Sequence, residues 1–349
     1  MAERSLAVKS SIQRWIPAAV VPVVIATAAI AVPAVANASP SLPEKSPQQL
    51  LELVADSAGT PFSGTITQTT ALGLPDVSSL APTAGGGSAS SALELITGSH
   101  TARVFVGGAT TQRVQVLDGF AERDAIRNGD DLWLYDSDAK EATHVTAPAD
   151  GLPDAPAVTP GEAAAKLLAA VDTSTTVEVV DTARVAGRSA YELRLTPRDA
   201  DTLVGSVVLS VDAETGVPLG VAVTAKGQSD PAFSVRFSKI SFDTPDANLF
   251  DFTPASDVTV EEESVDPAKT PDAAAIATPK PTVVGDGWDA VVVFPAGVPL
   301  TDPMIDQLTT KGDGGRVLAT SLVSAYLADD GRVLVGAVTP EALQAVAAQ

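Results

Sequence analysis

An α+β protein of two unequal units is what the sequence predicts. Runs of period-two alternation mark one-sided strands, two short capped stretches mark one-sided helices, and no aromatic residue occurs between Phe252 and Trp288, which separates a large body from a small tail. Of the chain's 349 residues, 45% are hydrophobic, enough to build at least one real core.

The first 38 residues read as an address. Arg4, Lys9 and Arg14 precede an uncharged run from Trp15 to Ala38 that closes on Ala36-Asn37-Ala38, the form of an export signal. The run is long enough to span a bilayer, although Pro17, Pro22 and Pro33 weaken it as one straight helix. Residues 1–38 are therefore expected to be a cleaved signal peptide or an uncleaved membrane anchor, and the basic start places the body outside the cytoplasm in either case.

Ser46-Pro47-Gln48-Gln49 is a helix start, with Ser46 to cap, Pro47 suited to the first turn and Gln49 to answer the capping bond. Leu50, Leu53 and Val54 then share one face. Thr159-Pro160-Gly161-Glu162, followed by Leu167, Leu168 and Val171, predicts a second such helix. Strands are expected where Tyr191, Leu193 and Leu195, then Val207, Leu209 and Val211, then Phe233, Val235 and Phe237 alternate with polar neighbours, and at Gly64–Thr70 and Ala102–Val106. Asn128-Gly129 predicts a tight hairpin whose two central residues both tolerate positive φ, and Glu214-Thr215-Gly216 predicts another turn.

Residues 76–92, rich in Gly and Ser, read as a flexible insertion. Glu261-Glu262-Glu263 and four prolines between Pro267 and Pro281 predict an acidic linker over 256–284. The body then spans 39–255 and the tail 285–349. In the tail, a strand at Val291–Phe294, a short helix opened by Asp302-Pro303, strands around Leu318–Ala328 and Arg332–Val338, and a helix from Pro340 make a small α+β appendage.

The charge excludes partners. Against 22 Lys and Arg stand 43 Asp and Glu, a net charge of −21, so nucleic acid is not a partner and anionic head groups do not attract the body. No cysteine is present, which removes thiolate chemistry, zinc–thiolate sites and lipidated cysteine. The two histidines, His100 and His144, have no metal-spaced partners, and no nucleophile elbow, phosphate loop or dinucleotide fingerprint occurs. Gly312-Asp313-Gly314-Gly315 reads as a helix stop and turn. Asp136-Ser137-Asp138-Ala139-Lys140 reads as a solvated hairpin turn, because Lys140 stands where a calcium ligand is needed. No catalytic residue, metal site or cofactor is expected, and the chain reads as a non-enzyme.

The order of elements completes the reading. Phe62-Ser63-Gly64-Thr65, His100-Thr101-Ala102-Arg103-Val104, Trp133-Leu134-Tyr135-Asp136 and Leu249-Phe250-Asp251-Phe252-Thr253-Pro254 together resemble the LolA-like lipoprotein-carrier superfamily, with its RseB-like sensor branch and actinobacterial exported members. The resemblance covers roughly residues 46–255. It implies a strongly curved antiparallel half-barrel covered by short helices, enclosing an apolar cavity for an acyl chain, lipid or lipoprotein. On that fold Phe105, Trp133, Tyr135, Leu193 and Phe237 are the candidates to line the cavity, with Trp133 and Tyr135 expected on the concave, helix-covered side. The implied function is extracytoplasmic lipid or lipoprotein carriage without catalysis. Two alternatives stand beside it: an envelope-stress sensor contacting a membrane anti-sigma partner, and a structural envelope protein with a solid sheet.

Overall fold

A computed structural model describes residues 40–57, 59–73, 99–118, 121–146, 174–264, 281–296 and 308–349. The expected leader, the Gly/Ser insertion, the helix after Thr159 and the one at Asp302-Pro303 lie outside these residues.

Helix α1, Pro47–Asp56, starts as its sequence dictates. Ser46 Oγ accepts from Gln49 N at 3.2 Å, and Ser46 N donates to Gln49 Oε1 at 2.9 Å, so two otherwise orphaned amides are satisfied reciprocally. Leu50 and Val54 on its inner face are fully buried.

Twelve strands form one sheet: β1 Phe62–Thr70, β2 Thr101–Gly108, β3 Thr111–Asp118, β4 Ala121–Asn128, β5 Asp131–Asp136, β6 Glu141–Thr146, β7 Thr175–Val185, β8 Arg188–Pro197, β9 Val204–Asp212, β10 Pro218–Ala225, β11 Pro231–Ser241 and β12 Thr259–Ser264. Their lateral order is β12-β6-β5-β4-β3-β2-β1-β11-β10-β9-β8-β7. Two meanders, β2–β6 and β7–β11, are thus sewn into one sheet by β1, which pairs with β2 on one side and β11 on the other. A bulge interrupts the β1–β11 register between Thr65 and Ile66. Gly64 is required beside it: a Cβ there would lie 2.6 Å from Lys239 O and from the Phe237 ring. That ring instead meets Phe62 edge-on at 5.6 Å.

Three local expectations change. Asn128 pairs with Asp131, so the turn residues are Gly129 and Asp130, and only Gly129 takes positive φ, +64°, the II′ pattern. Gly312–Gly315 is the turn of a hairpin, with Gly314 at φ +70°, and not a helix stop. Thr259–Ser264, inside the expected linker, is strand β12, and it pairs with β6 in parallel in an otherwise antiparallel sheet. The reason is the chain's path: after β11 it crosses back to the start of β6, where Thr259 N donates to Lys140 O at 2.9 Å and Lys140 Nζ meets Asp257 Oδ2 at 2.7 Å.

The second sheet comprises β13 Thr282–Val284, β14 Val291–Phe294, β15 Thr310–Gly312, β16 Gly315–Ala319, β17 Ser324–Ala328 and β18 Val333–Gly336, in the order β13-β14-β18-β17-β16-β15. Helix α2, Pro340–Ala347, capped by Thr339 Oγ1, buries Leu343 against Val291, Tyr326 and Leu334. A small second sheet with a helix was expected for the tail, and its first strand, β13, falls inside the expected linker 256–284.

Where α1 meets the large sheet, the β9–β10 turn leaves no room for a side chain. Gly216 has φ +79°, and a Cβ there would lie 2.1 Å from Leu53 O. Gly216→Ala is expected to lower stability by about 1–3 kcal/mol, the range for a strained backbone that must also shift a packed neighbour. Gly129→Ala, at φ +64° with nothing within 4 Å of its Cβ, should cost about 1 kcal/mol, since only the backbone conformation resists it. Denaturant midpoints of the two variants check the ranking.

Candidate functional site

The register settles which residues share a face. In antiparallel pairs, laterally matched residues point the same way and successive residues alternate. Leu193 matches Leu209, which matches Val221, which matches Val235. Across β1 the same face runs through Phe62, Ile66, Ala102, Val104 and Val106, then from Val104 to Val114, Ala125 and Leu134. Helix α1 packs on this face, since Leu50 and Val54 belong to its main apolar cluster. A smaller buried cluster, Leu132, Leu134 and Val145, lies farther along the same face. Between the two clusters Val104, Val114, Val116 and Ala125 are only half-buried.

The five candidate residues divide between the two faces. Leu193 (0% exposed) and Phe237 (3%) sit on the α1-covered face within the main core. Phe105 points to the outer face, where it lines an open groove of about 430 Å³ with Ser63, Thr65, Arg103, Lys239 and Ser241. Trp133 and Tyr135 are also on the outer face, which corrects the expectation for them: Leu132 and Leu134 hold the inner positions, so their neighbours must project outward.

The segment after β11 covers these two aromatics. Trp133 stacks on His144 at 4.1 Å and 6°, and Phe252 meets Trp133 and Tyr135, each at 5.3 Å. Phe250 is 3% exposed, and its ring would lie 3.1 Å from a Cβ at Gly107. Arg113 Nη1 donates to Leu249 O at 3.2 Å, and Asn128 Nδ2 donates to Asp251 Oδ1 at 3.2 Å. The Leu-Phe-Asp-Phe motif is therefore a clasp over β3–β6. His144 fastens β12 beyond the clasp: its Nδ1 lies 2.8 Å from Glu262 Oε2 on β12, and its Nε2 lies 2.8 Å from Asp131 Oδ1 on β5.

Two buried carboxylates serve the frame. Asp212 accepts from Arg188 Nε and Nη2 at 2.7 and 2.9 Å and from Thr215 N at 2.8 Å. Burial pushes its pKa up, but Arg188 and the turn's hydrogen bonds outweigh that and hold it below the usual value. Asp124, fully buried beneath the clasp, is paired with Arg113 Nη2. There burial wins: withdrawal from water raises its pKa to about 7 despite Arg113, and nearby Glu122 adds to the rise. Among the described residues no group of three or more His, Asp or Glu side chains is placed to hold a metal ion.

Comparison with known proteins finds one matching family model and several similar solved structures. Residues 92–263 match the MucB/RseB N-terminal domain. MucB from the Pseudomonas aeruginosa MucA/MucB complex is similar at 19% identity and TM-score 0.47, covering 86% of this chain and 96% of that one. LprF from Mycobacterium bovis is similar at 12% identity and TM-score 0.32, over 63% of this chain and 100% of that one. A LolA-superfamily protein from Nitrosomonas europaea is similar at 12% identity and TM-score 0.24, over 60% and 99% respectively. No curated protein matches the sequence. The match agrees with the RseB-like part of the resemblance read from the sequence.

Asp124 carries a pH dependence of defined sign. Its folded-state value, about 7, lies above the ordinary value of 3.8, so the stability it contributes is complete below the unfolded value and is lost as pH rises through the folded one. The loss approaches about 1.4 kcal/mol per pH unit within that window. Asp124→Asn keeps the shape without the charge and should flatten the decline between about pH 4.5 and 7 in urea titrations. An unchanged slope would mean that Asp124 is ionised throughout.

Proposed function

We propose, from the match of residues 92–263 to the MucB/RseB N-terminal domain, that this chain is an extracytoplasmic binding protein that shelters the acyl chain of a lipid or lipoprotein on the α1-covered face of its large sheet. It is a binding protein and not an enzyme. The observation that carries the proposal is the half-buried strip Val104, Val114, Val116 and Ala125 between the two buried clusters. It is apolar, it faces the interior, and its flanks are already dry.

The energetics suit reversible carriage. Covering ten methylenes contributes roughly 8 kcal/mol at about 0.8 kcal/mol each, against an association cost of about 4–15 kcal/mol. No polar anchor is needed. The outer face is a poorer site because the Phe250–Phe252 clasp already occupies its aromatic half.

A second reading, a sensor that binds a membrane anti-sigma partner, is favoured by the small sheet. Val283 (65% exposed) and Phe294 (36% exposed) offer exposed apolar contact on that sheet. Capture of such a partner by lipid-free protein, abolished by Val283→Asp and Phe294→Asp together, would establish it.

Val114→Glu places a charge in the middle of the strip and is expected to weaken uptake of a fluorescent fatty acid at least tenfold, since an acyl chain cannot solvate it. Trp133→Ala, on the opposite face, should leave uptake within twofold if the clasp holds. Saturable binding that survives Val114→Glu, or lipid-extracted protein that takes up no probe, would overturn the acyl-chain reading.

A further inference from the structure

The apolar face has two ends, and they are closed in different ways. One end is shut by the chain's own α1. There Leu53 O packs onto the Gly216 turn, Tyr191 Oη donates to Pro43 O at 2.8 Å, and the Arg188–Asp212 pair ties β8 to the same turn.

The opposite end is where β1 and β10 finish and β7, β9 and β11 begin. It is closed by the other domain. Leu322, on a turn of the small unit, is 6% exposed and packs in the large domain's main cluster, not in the small domain's own core. The turn is built to present it: Thr320 Oγ1 donates to Val323 O at 2.7 Å and accepts from Leu322 N and Val323 N at 3.3 and 3.0 Å. Hydrogen bonds among the described residues seat the cap: Ser321 N to Leu72 O at 3.0 Å, Ser321 Oγ to Ala71 O at 3.5 Å, Leu203 N to Ala337 O at 2.7 Å, Thr202 Oγ1 to Ala337 O at 2.9 Å, and Trp288 Nε1 to Thr175 Oγ1 at 2.8 Å. Trp288 and Ala337 pack against the same cluster. A handful of hydrogen bonds around one inserted leucine is the kind of contact across which domains move.

We propose that the small domain is a removable end-cap, whose Thr320–Val323 turn and Trp288 must withdraw from the large sheet before an acyl chain can enter. The inference rests on the acyl-binding reading and adds its regulation. Entry is assigned to this end because its closure is a separate sheet, whereas the other end is closed by a helix packed backbone to backbone. Leu322 is then the side chain that an incoming ligand displaces.

The absence of cysteine makes a clean test possible in the full chain. Thr202 and Val338 face each other in an antiparallel bridge across the domains, a pairing that sets Cα atoms about 4.5–5.5 Å apart, within the reach of a disulfide, about 4.4–6.8 Å. In Thr202→Cys/Val338→Cys protein, stopped-flow uptake of a fluorescent fatty acid should be at least tenfold slower when oxidised and recover on reduction. Leu322→Ala should accelerate uptake several-fold. Trp288→Phe, which removes one interdomain hydrogen bond, provides the same direction of change if the cysteine pair disturbs folding. Without ligand, the Leu203 and Ser321 amides should exchange with deuterium well before those of Leu209 and Val235. Equal uptake rates in oxidised and reduced protein, or exchange of all four amides together, would overturn the cap while leaving acyl binding intact. Absence of uptake in every form would overturn both.

Discussion

The pairing of β1 with β11 is the constraint on which the rest of the molecule depends. Each meander closes through local hairpins, but the two become one sheet only when β1 pairs on both sides, and the contact of Thr69 with Ser234 spans 165 positions. Such a closure costs more chain entropy than any hairpin and brings its return late. The return is the continuous face. With β1 in register, Phe62 and Ile66 join Val235 and Phe237 to Ala102 and Val106, and one interior runs from β8 to β5. The bulge beside Gly64 lets the Phe237 ring fold over β1 at the seam itself.

Once the seam has made one large sheet, both faces must be dealt with. The segment after β11 seals half of the outer face by placing Phe250 and Phe252 over β3–β6, and β12 then continues along the edge, held to β6 and His144. This leaves Asp124 buried and Arg113 half-buried under the clasp, with Asp124 stripped of enough water to raise its pKa to about 7. The inner face is closed instead by separate bodies, α1 at one end and the small domain at the other. Around both faces the protein carries a net charge of −21. A surface of that sign repels anionic membranes.

Much of this is legible in the residues because it is local chemistry. The Ser46–Gln49 capping box, the alternating runs of β8, β9 and β11 and the turn at Gly216 follow from spacing and propensity, and the structure reproduces them. Acidic composition and the lack of cysteine narrow the chemistry for the same reason. Other features escape a local reading. Gly129-Asp130 takes the turn positions from Asn128-Gly129, because the register of β4 and β5 places Asn128 opposite Asp131. Residues 259–264 become a strand because β6 offers an unpaired edge that no local signal in Glu261-Glu262-Glu263 discloses. Trp133 and Tyr135 lie on the side of their strand opposite to the one expected.

That last reversal separates what sequence determines from what folding decides. A period of two states that a strand has two different faces, and it is unchanged when they are exchanged. Residues 132–135 offer leucines on one side and aromatics on the other, so size and hydropathy leave the two orientations close. The choice was made by lateral neighbours: Ala125 and Val145 carried Leu132 and Leu134 inward, while Ile126, His144 and Phe252 enclosed Trp133 and Tyr135 outside. By itself the sequence determined strands, caps, turns and charge, because each depends on residues a few positions apart. The tertiary structure alone decided which face became the interior, through strand register and the packing of Phe252, and that Leu322 packs into the large sheet's cluster, because both depend on how separate segments meet.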